Sequence, residues 1–179
     1  MMQPVMPLTS VMASVLRRTR RVLLASTAVN VEAVERYVVD APTLELHDVT
    51  AVGGFNAPLG VRAAFSFERS LLEVLYGRFT ADIAVPDGQE DLYVHDTAAE
   101  IANLILGLCS GDFPNLDGTI ALIPVVVLTE ERHIDRRDHA VFGTMRMRAP
   151  DGRLDVHLLR PKEMFDDQLN HLPPFASGS

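Results

Sequence analysis

The sequence predicts an α+β fold, and three stretches of it carry that prediction. Residues 96–107, DTAAEIANLILG, have the apolar density and period of a long helix. Residues 140–147 and 154–159 are two strand-like runs joined by Ala149-Pro150-Asp151-Gly152-Arg153, whose Asp-Gly pair is a hairpin turn signal. Residues 49–53 and 61–67 read as a further pair of strands around Gly53-Gly54-Phe55-Asn56-Ala57-Pro58-Leu59-Gly60, a loop rich in turn formers.

The chain has 179 residues, 47% of them apolar, which suffices for one domain around a single core. Residues 1–8 read as a loose lead-in with two prolines, 9–165 as the domain and 166–179 as a flexible tail. A formal net charge of −8 argues against nucleic-acid binding, which needs a basic face to neutralise phosphates. The lone Cys109 sits in a helical apolar pattern and reads as core packing in a reducing compartment. Arg17, Arg18, Arg20 and Arg21 interrupt the apolar stretch from Val11 to Leu24, whereas a secretory signal places its charges first. No run reaches the roughly 18 apolar residues of a spanning helix. A soluble, cytoplasmic protein is expected.

Taken in order, the first element is a helix that Thr9 or Ser10 can cap. Val11, Val15, Leu16, Thr19, Val22 and Leu23 recur at spacings of three and four, with the arginines mostly opposite on a solvated face. Those arginines would alternatively suit an anionic lipid or acidic partner. Residues 29–37 mix polar and apolar positions and suggest a further short helix, and Leu44, Leu46 and Val49 lean towards strand. Residues 70–75 predict a short helix with Gly77 as a left-handed cap just past its end. Pro86-Asp87-Gly88 is a turn, and Gln89-Glu90-Asp91 opens the long helix with charge that favours its dipole. That helix is expected to run to about Cys109, where Ser110-Gly111-Asp112-Phe113-Pro114-Asn115 breaks it; Asp117-Gly118 is a further turn. Residues 119–128, rich in Ile and Val, predict a central strand covered on both faces. Pro124 inside it is unexpected, since proline is confined to edges, bulges and strand starts. Residues 130–138 are strongly charged and read as a surface loop.

The long helix carries one narrow polar stripe. At about 100° per residue, Asp96, Glu100, Asn103 and Gly107 fall within an arc of roughly 60°, while Ala98, Ile101, Ala102, Leu104, Ile105, Leu106 and Leu108 cover most of the remainder. Such a stripe needs internal partners or an opening onto the surface, and the opening is the expectation. Gly107 supports it, because a glycine inside a strong helix costs about 1 kcal/mol relative to alanine and marks close approach by something else. Asp96-x3-Glu100-x2-Asn103, the glycine four residues later and the distant Pro124 resemble the signature of the CheX/CheC/FliY chemotaxis phosphatases. The order of elements over roughly residues 10 to 160 agrees. CheC and FliY carry two copies of the motif, and this chain carries one, which favours the CheX-like branch.

The resemblance implies a single CheX-like domain, with a mainly antiparallel sheet packed against the long motif helix and shorter helices. It also implies a phosphatase that hydrolyses the phosphoaspartate of a CheY-like response-regulator receiver. In that reading Asn103 positions the attacking water, Glu100 binds a receiver lysine, and Asp96 has a supporting role. Gly107 gives clearance, and Pro124 shapes structure beside the site. Mg²⁺ would belong to the receiver, and this chain would need no cofactor of its own. A homodimer joined through its sheet is implied as well. The chemistry is apt, because phosphoryl transfer needs positioning and charge stabilisation more than proton transfer. An amide can meet a phosphoryl oxygen and a water at once.

Other chemistries lack their motifs. There is no GxGxxG or GKS/GKT loop for nucleotide and no GxSxG elbow. His47, His95, His133, His139, His157 and His171 show no metal-ligand spacing and read as surface or hairpin residues. Two further readings stay open. In one the stripe docks a receiver or another signalling protein without turnover; in the other it is satisfied internally and function lies elsewhere.

Overall fold

The computed structural model describes residues 7–39, 43–56, 59–113, 120–135 and 140–161. The elements are α1 (Leu8–Thr27), β1 (Glu32–Val39), β2 (Thr43–Glu45), β3 (Val49–Phe55), β4 (Val61–Phe67), α2 (Arg69–Phe79), α3 (Glu90–Ser110), β5 (Leu122–Leu128), β6 (His133–Asp135), β7 (Ala140–Ala149) and β8 (Gly152–Pro161). Six strands form one sheet in the order β1-β7-β8-β4-β3-β5, and β2 pairs with β6 in a separate two-stranded piece. Every pairing is antiparallel. The expected α+β class and the expected sheet are what the chain forms. Residues 1–6 and 162–179, and with them the tail, the turn at 117–118, His139 and His171, lie outside the described residues.

Strand alternation decides what each face of the sheet does. Ala51, Phe55, Ala63, Phe65, Met145, Met147, Leu154, Val156 and Leu158 join the core with Leu8, Met12, Leu71, Ile101 and Ile105 of the helices. Two glycines let helices settle onto the strands. A Cβ on Gly53 would lie 2.8 Å from both Leu106 Cδ1 and Val125 Cγ2, and one on Gly143 would lie 3.1 Å from Leu8 Cδ2 and 3.3 Å from Met12 Sδ. Gly53 therefore belongs to strand β3 under α3, and the loop proper is shorter than the sequence suggests. Gly54, at φ 150° with a Cβ position 2.2 Å from Val61 O, and Gly60, at φ 59°, are the residues there whose backbone needs glycine.

Several local expectations are corrected. Helix α1 begins at Leu8 after Pro7, with no side-chain cap, so Thr9 and Ser10 lie in its first turn; burial of Leu8 on the sheet extends it. Residues 29–37 form no helix, because β1 gains a full antiparallel ladder along β7. Gly77 lies inside α2, which runs on to Phe79; Thr80 Oγ1 donates to Tyr76 O at 2.8 Å and closes its end. Among the described residues the run containing Pro124 is an edge strand, paired with β3. Val52 faces Val126 and Gly54 faces Ile123, so Pro124 and Val125 stand opposite Gly53 alone. That bulge on an edge is a place where proline costs no ladder bond. Residues 133–135 of the supposed surface loop form β6.

Three arginines of α1 are not simply solvated: Arg20 Nε donates to Val31 O at 3.1 Å, and Arg17 and Arg18 meet a carboxylate. Asp112, just beyond α3, accepts from Ser14 Oγ at 2.5 Å, from Arg17 Nη2 at 2.9 Å and from Arg18 Nε at 3.0 Å, with a second contact from Arg18 Nη2. The Arg18 guanidinium in particular holds the Asp112 carboxyl well below the usual carboxylate range. This clamp joins the end of α3 to α1. Cys109 beside it is buried in the core, and burial pushes its thiol up to about 11.

Candidate functional site: the outer face of α3

Helix α3 is amphipathic in the narrow sense that the sequence predicts. Glu90 and Asp91 occupy its first turn, and Val94, Thr97, Ala98, Ile101, Ala102, Ile105, Leu106 and Cys109 are buried. Asp96, Glu100, Asn103 and Gly107 are all exposed. At spacings of four, three and four residues they follow one another along the outward face. Among the described residues the side chains of Asp96, Glu100 and Asn103 make no hydrogen bond or ion pair, so the stripe is not satisfied internally. Nothing lies within 4 Å of where a Gly107 Cβ would be. The stripe is a smooth, open strip with three polar side chains pointing away from the protein.

Its borders differ from the sequence expectation. Leu104 and Leu108, counted among the apolar cover of the helix, are 37% and 40% exposed, and Leu92 near the helix start is 55% exposed. They put apolar surface beside the polar strip, which is the composition of a protein-contact patch rather than of a small-molecule pocket. The sequence showed their position on the wheel but not that, among the described residues, that flank is left uncovered. Pro124 is exposed in the β5 bulge. Its neighbour Val125 is the residue that, together with Leu106 of α3, crowds Gly53. The proline thus belongs to the strand beside α3, and its contribution to the strip is through backbone shape.

Among the described residues there is no group of three or more His, Cys, Asp and Glu side chains able to hold a metal ion. No described helix is long and apolar enough to cross a membrane.

A six-stranded antiparallel sheet with three helices on one face, the longest presenting an open Asp/Glu/Asn strip, defines a CheX-like fold. A chemotaxis protein CheX from Desulfovibrio desulfuricans matches with a TM-score of 0.69 at 16% identity, over 83% of this chain and 97% of that one. A putative chemotaxis protein from Desulfovibrio vulgaris Hildenborough matches with a TM-score of 0.70 at 16% identity, over 83% and 94%. A chain of the CheX–CheY complex with beryllium fluoride and magnesium from Borrelia burgdorferi matches with a TM-score of 0.60 at 16% identity, over 83% and 97%. No family profile and no curated protein sequence matches the chain.

Proposed function

We propose that this protein is a CheX-like phosphatase that docks a CheY-like receiver on the outer face of α3 and hydrolyses its phosphoaspartate. The observation that carries the reading is the exposure of Glu100 and Asn103, one turn apart, unpaired and flanked by the clearance at Gly107. A receiver's active site is itself a shallow surface depression, so the catalytic side chains must project into it from an open strip. Asn103 would hold the attacking water in line with the phosphorus, its amide accepting from the water and donating to a phosphoryl oxygen. Glu100 would pair with a lysine of the receiver and fix the register, with Asp96 assisting one turn earlier. Mg²⁺ would come with the receiver, where it neutralises the phosphoryl oxygens. Leu104 and Leu108 would form the apolar border of the docked interface. The CheX–CheY complex among the structural neighbours supports a receiver as the kind of partner. The reading places the chain in the cytoplasm, as residues 9–165 acting in one unit, and as a homodimer joined through its sheet. Sedimentation at micromolar concentration is expected to give twice the monomer mass, and a monomer would remove the dimer from the account.

The test is phosphate loss from phosphorylated CheY-like receivers of the same organism in Mg²⁺, with and without the protein. Acceleration for at least one receiver is expected. Tight binding of a receiver with no acceleration would instead establish a docking module that uses the same strip without turnover.

A further inference from the structure

Helix α1 holds Arg17, Arg18, Arg20 and Arg21 and no acidic residue, in a chain whose formal net charge is −8. Arg18 turns inward to Asp112. The other three stand on the outer face, where with Ala13, Leu16 and Leu24 among others they line a shallow groove of about 560 Å³ that no carboxylate lines. Spacings of three and four residues put these side chains on one side of the helix. Leu24 is 55% exposed there. Arg17 meets Asp112 at 2.9 Å yet remains 59% exposed, and Arg20 uses Nε on Val31 O at 3.1 Å. Arg21 makes no hydrogen bond or ion pair among the described residues. Arg17 lies three and four residues from Arg20 and Arg21, and like charges at those spacings destabilise a helix. An acidic, partly apolar segment laid in the groove removes that repulsion and covers Leu24.

Strand β8 delivers such a segment close by. Pro161, at its end, pairs with Ala140, and three residues further along β7 Gly143 supports Leu8 and Met12 of α1. The chain therefore leaves the sheet about 10 Å from the first turns of α1. The sequence that follows has Glu163, Asp166 and Asp167, then Leu169 and Leu172. That order matches the groove taken from the same end, with the arginines first and Leu24 after them. Residues 162–172, fully extended, reach about 35 Å, and the groove from Ala13 to Ala25 is about 18 Å long. An anionic bilayer would repel a chain of this net charge, whereas a tethered segment meets the groove at high effective concentration.

We propose that residues 163–172 of this chain dock in the groove on the outer face of α1. Asp166 and Asp167 pair there with Arg20 and Arg21, and Leu169 and Leu172 cover Leu24. The contact is intramolecular and does not depend on the receiver reading.

The test uses the full chain with a nitroxide attached at Gln168→Cys. Cys109 is buried, with its thiol pushed up to about 11, and stays unlabelled near neutral pH. Backbone amide NMR signals of residues 13–25 are expected to broaden, while those of β5 at the far edge of the sheet stay sharp. Arg20→Glu with Arg21→Glu is expected to abolish the broadening, and adding Asp166→Lys with Asp167→Lys to restore it, in variants whose thermal melts remain cooperative. Sharp signals throughout α1, broadening that survives the first reversal or no recovery after the second would each overturn the proposal. So would equal broadening when a spin-labelled chain is mixed with an isotope-enriched, unlabelled one, which would put the segment on a second copy.

Discussion

Asn103 has an amide with a donor and an acceptor, and among the described residues the protein uses neither. Removing it, or Glu100, should therefore leave the fold intact, with stability changes within about 0.5 kcal/mol. Other residues are committed to structure, and their substitutions should read differently. Asp112→Ala leaves the partly buried Arg18 without its carboxylate and is expected to cost about 1–3 kcal/mol in denaturant unfolding. Because the Asp112 carboxyl is depressed in the folded state, its contribution is present above about pH 4 and is lost as pH falls below that. His157 has the opposite chemistry but the same direction of loss. Burial chiefly, opposed by Asp155 and assisted by His47 and Arg146, brings its imidazole down to about 4. Between about pH 6.5 and pH 4 the unfolded chain binds the proton that the folded chain refuses, so stability falls as pH falls through that window. The ceiling is on the order of 3 kcal/mol. Urea unfolding across pH 6.5 to 5 checks it; a folded His157→Phe variant with an unchanged slope would show that the loss arises elsewhere.

At the scale of elements, the two glycines associated with α3 predict opposite outcomes. Gly107→Ala adds a methyl to open space inside a helix and is expected to stabilise by about 1 kcal/mol. Gly53→Ala drives a methyl into Leu106 and Val125 and is expected to destabilise by about 1–3 kcal/mol. Thermal melts of both variants decide this. The same helix shows why part of the fold was legible in the sequence. Over the length of α3 a 3.6-residue period leaves a narrow polar stripe, and the Asp-Gly turn between β7 and β8 fixes a hairpin locally. Strand β5 was misplaced at the centre of the sheet because its outward residues Leu122 and Val126 are as apolar as its inward residues Val125 and Val127. Hydrophobicity then carries no sign of which face is covered, and Pro124 was the one residue that pointed to an edge. β1, β2 and β6 are mixed or three residues long, and they exist as strands only because a distant partner completes their hydrogen bonds. The exposed border at Leu104 and Leu108 was hidden for the same reason: coverage is a property of neighbours.

At the scale of the whole molecule, the sheet separates two different surfaces. The helical face buries the core and presents the α3 strip, and on the other face Asp155 and His157 are buried near the β2 segment. In the sequence His157 read as a surface or hairpin residue, because Leu154, Val156 and Leu158 alternate with it and the β2/β6 pair beside it is remote in the chain. The strip was found because its residues are close in sequence; the burial of His157 was not, because what surrounds it comes from several strands. The central claim concerns the strip, and its most direct test is the decay of a phosphorylated receiver in Mg²⁺ with wild-type protein and with folded Asn103→Ala. The account predicts that wild type shortens the lifetime of the phosphoreceiver and that Asn103→Ala loses this acceleration on the order of a hundredfold, without loss of thermal stability. Equal acceleration by the two proteins would contradict it and move the chemistry off Asn103.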